Sequence, residues 1–212
     1  MLVIGIAGGV ASGKSLVAQC FERFGAKVLD ADQVGHEVLK DAEVIDAIVS
    51  QFGEIVLLQG EIDRRALGRI VFDPSPEGVR SLERLEELTH PPIGIRIQRE
   101  LNRLKSGARF PAVVLDAPVM FKANWDSLCD RIVFVDADIA LRSKRALERG
   151  WDDDELARRE SRQLPILEKR SKSTDLIDNS GSREETYAQA SKLWKTWGLA
   201  LLPELDSPSN LL

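Results

Sequence analysis

Cysteine is scarce in this chain: Cys20 and Cys129 are the only two in 212 residues, and they stand far apart in neither a Cys-x-x-Cys pair nor a metal-ligand spacing. That leaves no pattern for a disulfide framework or a thiolate metal site, and a reduced, intracellular setting is the simple reading. Long apolar runs are missing as well. The N-terminal run over 2–7 is too short to span a membrane, lacks the basic lead-in of a secretory leader, and passes directly into a glycine-rich loop. These features predict a soluble cytoplasmic protein with no membrane partner. Positive charge is also not in excess. Lys and Arg number 29 against 34 Asp and Glu, and a net charge of −5 has the wrong sign for a protein that coats nucleic acid. Internal repeats and low-complexity segments are absent too, so the chain reads as ordinary globular sequence.

What is present is concentrated near the N-terminus. Gly8-Gly9-Val10-Ala11-Ser12-Gly13-Lys14-Ser15 fits the phosphate-binding pattern G-x-x-x-x-G-K-[ST]. The apolar run precedes it, and Val17, Cys20, Phe21 and Phe24 follow at i, i+3, i+4 and i+7. Strand, glycine loop and amphipathic helix thus come in the order the mechanism requires. The terminal glycines permit backbone angles and close approaches that a β-carbon would obstruct, so consecutive N–H groups turn toward phosphate oxygens at a helix N-terminus. Lys14 adds a mobile positive charge for β- and γ-phosphates. Ser15 supplies a hydroxyl of the kind that ligates Mg²⁺. The loop alone says nucleotide phosphate and does not separate a kinase from a GTPase; an Asn-Lys-x-Asp guanine-reading motif is lacking.

A strand over 26–29 ends in Asp30-Ala31-Asp32. Ligands gather at the carboxyl ends of strands in open parallel sheets, which would put this pair on the rim of the phosphate loop. Asp32 could accept a proton from an attacking hydroxyl and Asp30 could orient water or Mg²⁺; capping of the next helix is the competing role. From Gln33 to about Lys105 the pattern becomes helical, carried by Val34, Val38, Val44, Ile45, Ile48, Val49 and Phe52, then Leu82, Leu85 and Leu88. Within this insert, Gly60 to Arg64 reads as a turn leading into a helix capped by Asp63. Arg64 and Arg65 are either anion contacts or solvated surface residues. His90-Pro91-Pro92 is expected to break the helix before it.

Residues 112–115 form a buried-type strand closed by Asp116, either an outer partner of Ser15 around Mg²⁺ or a turn former. A further strand over 131–135 ends in Asp136 and Asp138, assigned to a turn. Between Leu141 and Lys172 lies the most basic stretch, from which a closing lid could bring guanidinium groups onto transferring phosphates. A last strand over 175–178, a turn at Asn179-Ser180-Gly181 and a helix over 183–197 follow, with Tyr187, Ala190, Leu193, Trp194 and Trp197 packing the core. The tail from Leu202 reads as frayed. Five strands alternating with helices predict a doubly wound parallel α/β sheet flanked by helices. The expected organisation is a P-loop NTPase core from 1–31, 110–140 and 174–212, a helical acceptor insert at 32–109 and a helical lid at 141–173. It suits phosphoryl transfer to a small molecule, which must exclude water as a competing nucleophile.

Over nearly its whole length the sequence resembles dephospho-coenzyme A kinase. The resemblance rests on Gly5-Ile6-Ala7-Gly8-Gly9 through Gly13-Lys14-Ser15, on Asp30-Ala31-Asp32 with His36, and on Gly60 with Asp63-Arg64 and Leu67. It continues through Thr89-His90-Pro91, Arg145 and Arg149, Arg159 with Gln163, and Ile177-Asp178-Asn179-Ser180-Gly181. It implies transfer of the ATP γ-phosphate, with Mg²⁺, to the ribose 3′-hydroxyl of dephospho-CoA, in a monomer or weak homo-oligomer. On that basis Asp32 is the general base. Gly9, Val10, Ala11, Ser12, Gly13, Lys14, Ser15 and Leu16 bind the donor phosphates, with Ser15 on the metal. Lys14, Arg145 and Arg159 serve the transferring phosphate, Asn179 lies near the adenine, and Asp32, His36, Arg64, His90 and Asp116 meet the acceptor.

Three positions depart from the family pattern. Leu16 stands where Thr is usual, Val119-Met120-Phe121-Lys122 replaces Leu-Leu-Phe-Glu, and Glu160 follows the lid arginine where Ile is usual. Leu16 removes a hydroxyl, a change of about 1 kcal/mol in donor binding. Another small-molecule or nucleoside-monophosphate kinase on the same fold, or a nucleotide-binding regulatory module without transfer, are the alternatives.

Overall fold

The computed structural model describes residues 1–201; the tail from Leu202, expected to fray, lies outside the described residues. The described residues form two compact units, one made of residues 1–30 and 101–201, the other of residues 31–100.

The first unit is built on a five-stranded, wholly parallel sheet. In chain order, β1 (Leu2–Gly8) leads through the phosphate loop into α1 (Lys14–Arg23), and β2 (Lys27–Asp30) closes the N-terminal part. The second unit then begins directly, with α2 (Ala31–Val38), α3 (Ala42–Phe52), the short hairpin β3 (Leu57–Leu58) and β4 (Glu61–Ile62), and α4 (Arg64–Val71). The long α5 (Pro76–Gly107) carries the chain back, so the boundary between the units falls inside this helix. There follow β5 (Ala112–Asp116), β6 (Arg131–Asp136), α6 (Ile139–Glu148), α7 (Asp153–Ser161), α8 (Ile166–Ser171), β7 (Asp175–Asp178) and α9 (Arg183–Thr196).

The sheet order is β2-β5-β1-β6-β7, so successive strands are laid down on both sides of a central β1. This is the doubly wound arrangement expected from strand–helix alternation. Uniform burial of Val113, Val114 and Leu115 in β5 and of Ile132 to Val135 in β6 explains why these strands read as continuous apolar runs and not as alternating ones. Register places Ile6 beside Asp116 and Asp30 beside Asp116, so the two strand-ending carboxylates lie on adjacent strands at the same edge.

One face of the sheet is covered by α1 and α9. Phe21 stacks on Trp194 with centroids 6.0 Å apart, and Phe24 meets Tyr187 edge-on at 4.9 Å. These rings are core packing, as their helical spacing predicted. Both cysteines are free, and burial pushes the Cys20 thiol up to about 11 and the Cys129 thiol up to about 12, so neither is a reactive thiolate.

The second unit is mostly helical, as its 3.6-residue periodicity predicts, with two differences. His90-Pro91-Pro92 does not break its helix: α5 runs through both prolines. Each removes one N–H, but Ile93 and Ile97 beyond them are buried, and that burial offsets the lost backbone bonds. The hairpin β3–β4 was not legible. Its strands are two residues each, too short for any period, and only Gly60 (φ 83°) hinted at the tight turn it makes with Gln59 (φ 52°). Asp63 caps α4 as expected, accepting from the N–H groups of Arg65 at 2.9 Å and Ala66 at 3.1 Å.

Candidate phosphate-transfer site

The loop between β1 and α1 wraps the N-terminus of α1. Gly13 sits at φ 97°, and a β-carbon there would run into the Asn179 amide nitrogen, so glycine is required for both angle and space. At Gly8, φ 153°, a β-carbon would lie 2.5 Å from the Val135 carbonyl oxygen and 2.6 Å from Ser12 Oγ. Ser12 Oγ is buried without a hydrogen-bond partner, an orphaned hydroxyl inside the loop. Ser15 is exposed in the first turn of α1.

Lys14 folds back over the loop, its Nζ donating to Gly9 O at 2.8 Å and approaching Gly8 O at 3.5 Å. Burial pulls this ammonium below the ordinary lysine range; the Asp116 carboxylate opposes the shift, while Arg149 and Arg142 reinforce it. Asp116, from the neighbouring strand end, therefore supports the charge on Lys14.

Arg145 of α6 spans two walls of the site. Its Nη1 donates to Ser12 O at 3.2 Å and its Nη2 to Asn179 O at 2.9 Å. Burial, then the nearby Arg149, holds its guanidinium below the usual arginine range. Asn179 is itself buried: its Nδ2 donates to Ser12 O at 2.7 Å and its Oδ1 accepts from Thr186 Oγ1 at 2.8 Å. Its side chain thus holds the loop rather than presenting a free edge to a base. Arg159 lies in α7 with its Cζ 4.1 Å from the centre of the Trp151 ring and its Nε 2.8 Å from Glu155 Oε1; Arg149 approaches the same ring at 5.6 Å.

Two basic side chains that the sequence left among the undifferentiated arginines and lysines prove to be buried against the loop. Arg142 pairs with Glu160 and points Nη1 at Val10 O at 3.5 Å. Lys169 donates to Gly8 O at 3.2 Å and to Gln163 Oε1 at 2.5 Å. The only signal for Arg142 was its place one helical turn before the buried Ala146, on the apolar face of α6. Glu160, which departs from the family pattern, is the partner that makes a buried Arg142 tolerable. Leu16 lines a cavity of about 290 Å³ between α1 and the start of α9, with Gln19, Cys20, Arg183 and Tyr187.

The remaining sequence-chosen residues lie in the second unit, except Asp116. Asp32 and His36 are exposed one turn apart on α2, Arg64 opens α4 and is exposed, and His90 is half-buried in α5 just before Pro91. Among the described residues no cluster of three or more His, Cys, Asp or Glu forms a metal cage. The Ser15 hydroxyl suits a hard cation shared with phosphates, which needs few protein oxygens.

A phosphate loop at the carboxyl end of the central strand of a doubly wound parallel sheet, crossed by arginines from the following helices, defines a P-loop nucleotide-binding protein. Comparison narrows the class. A family model described as dephospho-CoA kinase matches residues 2–185, and the chain belongs to that family. The dephospho-CoA kinase of Geobacter metallireducens is 43% identical over 198 residues, covering 92% of this chain and 96% of that one. That of Bacillus licheniformis is 37% identical over 200 residues, with the same shares. A crystal structure of the Thermus thermophilus protein TT1252 superposes with a TM-score of 0.76 at 33% identity, covering 92% of this chain and 97% of its own. Dephospho-CoA kinase from Campylobacter jejuni has the same fold, with a TM-score of 0.67 at 24% identity and 92% and 96% covered.

Proposed function

We propose that this protein transfers the γ-phosphoryl group of ATP to the ribose 3′-hydroxyl of dephospho-CoA, giving coenzyme A and ADP. The observation that carries the reading is the preorganised loop: Arg145 and Asn179 both fasten the Ser12 carbonyl, so the loop's amides are set before any ligand arrives. Family membership over residues 2–185 supports the acceptor.

In the reaction the 3′-oxygen forms a bond to the γ-phosphorus while the bond from that phosphorus to the β–γ bridging oxygen breaks, and ADP leaves with the electron pair. Asp32, in the first turn of α2 just beyond β2, takes the hydroxyl proton. An ordinary carboxylate suffices, because a loose phosphoryl-transfer transition state depends on positioning and charge neutralisation more than on deep deprotonation. Lys14 leaves Gly9 O for the β- and γ-phosphates, and Ser12 Oγ gains a phosphate acceptor. Ser15 would hold Mg²⁺ and Asp116 would act as its outer partner, and the ion would supply neutralisation of phosphate charge.

Residues 32–109 serve as the acceptor-binding insert, through His36, Arg64 and His90. Residues 141–173 serve as the lid, in which Arg159 joins Arg145 on the transferring phosphate. The reading includes a cytoplasmic monomer or weak homo-oligomer that does not bind nucleic acid; among the described residues no helix is long and apolar enough to cross a membrane. Incubation with Mg-ATP and a panel of acceptors, with products identified by mass, tests it. Phosphate gained on dephospho-CoA is the expected result. Phosphorylation of another acceptor in preference would overturn the substrate assignment, and ATP binding without transfer to any acceptor would make this a regulatory module.

A further inference from the structure

Two lysines, not one, face the small cavity of about 10 Å³ where β1 ends. It is lined by Gly8 and Lys14 of the phosphate loop, Pro118 and Phe121 beyond β5, and Lys169 of α8. Lys169 Nζ donates to Gly8 O at 3.2 Å, the same carbonyl that Lys14 Nζ approaches at 3.5 Å. Two ammonium groups thus converge on one backbone oxygen at the end of a buried strand. Burial, and then the like charge of Lys14, bring Lys169 down to about 8; Arg142 acts in the same direction and only the Glu160 carboxylate opposes it.

A brace between α8 and β1 would not need this charge. An apolar side chain of similar length would pack there without a desolvated ammonium, and replacing buried charge by apolar volume is often neutral or stabilising. Lysine brings three donors and a charge instead, and both are parked on weak neutral acceptors, Gly8 O and Gln163 Oε1. Lys14, Arg142 and Lys169 face two carboxylates, Asp116 beside Lys14 and Glu160 paired with Arg142, which leaves positive charge in excess at the loop.

We propose that Lys169 is a second phosphate-binding lysine: with Lys14 it brackets the terminal phosphate of the nucleotide from the β1 side of the loop, and Gln163 holds its ammonium in place until that phosphate arrives. The terminal phosphate is the one concerned because Lys14, on the same cavity, is the side chain that reaches the β- and γ-phosphates in this kind of loop. The proposal rests on the reading of the loop as an ATP site.

Calorimetric binding of Mg-ATP and Mg-ADP, turnover of dephospho-CoA, and melting temperatures are compared for the wild type, Lys169→Met and Lys169→Arg. For Lys169→Met, kcat falls about 100-fold and ATP affinity about 10-fold, while ADP affinity stays within about 3-fold. Lys169→Arg retains the charge and recovers most of the loss in ATP affinity. At pH 8 the wild type also takes up more protons on binding ATP than Lys169→Arg does, because the anion recharges a lysine that an arginine replaces with a permanent cation. A Lys169→Met enzyme with kcat within about 3-fold of wild type, or one that loses ATP and ADP affinity equally, would show a structural brace and overturn the proposal. Should Lys169→Met fail to fold, equal proton uptake by wild type and Lys169→Arg would overturn it instead. A wild-type protein that binds no ATP would strike at the reading of the loop, not at Lys169 alone.

Discussion

The Asn179 amide donates to the Ser12 carbonyl at 2.7 Å, joining the end of the last strand to the phosphate loop across 167 positions of sequence. Thr186 Oγ1 holds the other end of that amide, and Arg145 adds a second donor to the same Ser12 carbonyl. The Ser12 carbonyl is therefore held by two side chains from outside the loop, one of them fixed in turn by Thr186.

Asn179→Ala leaves the buried Thr186 hydroxyl without this acceptor and the Ser12 carbonyl with one donor fewer. A stability loss of about 2 kcal/mol is expected, with a rise of about 10-fold in KM for ATP, since buried groups left unpaired cost about 1–3 kcal/mol each. Thermal melting and ATP titration check both; an unchanged KM would show that the loop holds its shape without this bond.

Asp32→Asn separates proton transfer from donor binding. The side chain is exposed on α2; ATP affinity stays within about 3-fold, and kcat falls by about 10²–10⁴. Steady-state kinetics beside a nucleotide-binding isotherm decide it. Near-full turnover would remove Asp32 from the role of base.

Glu160→Gln leaves the Arg142 guanidinium buried without its counter-charge. Arg142 keeps the long contact to Val10 O and a neutral amide oxygen at position 160 in place of the carboxylate, and about 2 kcal/mol of stability is lost, below the range for a fully buried pair because Glu160 is itself partly exposed. Urea unfolding at neutral pH measures the loss, and an unmoved midpoint would mean that the pair contributes nothing to stability.

Lys169 makes stability depend on pH in an unusual direction. Its ammonium titrates near 8 in the folded protein against an ordinary value of 10.5. Between those values the unfolded chain binds more protons, so this group's contribution rises with pH. The penalty of burying the charge is full below about pH 8 and is gone above about pH 10.5. Lys169→Met should therefore gain on the wild type by about 3 kcal/mol when both are compared at pH 7 instead of pH 10.5. Chemical denaturation at the two pH values tests the sign; a difference independent of pH would place the lysine in an ordinary environment.

Most of this was legible in the sequence where one local pattern carried the signal. Loop chemistry is fixed by adjacent residues, so Gly8 to Ser15 declared a phosphate site without any partner in view. Continuous apolar runs marked β5 and β6, and the Tyr187–Trp194 spacing marked the packing face of α9. The expected break at His90-Pro91-Pro92 failed because proline propensity is a local cost, while Ile93 and Ile97 are buried beyond it in a helix long enough to absorb that cost. The hairpin at Leu57–Ile62 was missed for want of length.

The sequence by itself determined the class of fold, the phosphate loop and the family, because each is written in contiguous or regularly spaced residues. The resemblance singles out Arg145 and Arg159, but only the tertiary structure decided that Arg142 and Lys169 also matter to the loop. Those two lie among exposed basic residues of the same stretch, and their burial depends on how α6 and α8 pack against β1 and its loop. Charge is a property of the residue, whereas desolvation and the choice of acceptor are properties of the packed neighbours, and no spacing rule carries that information.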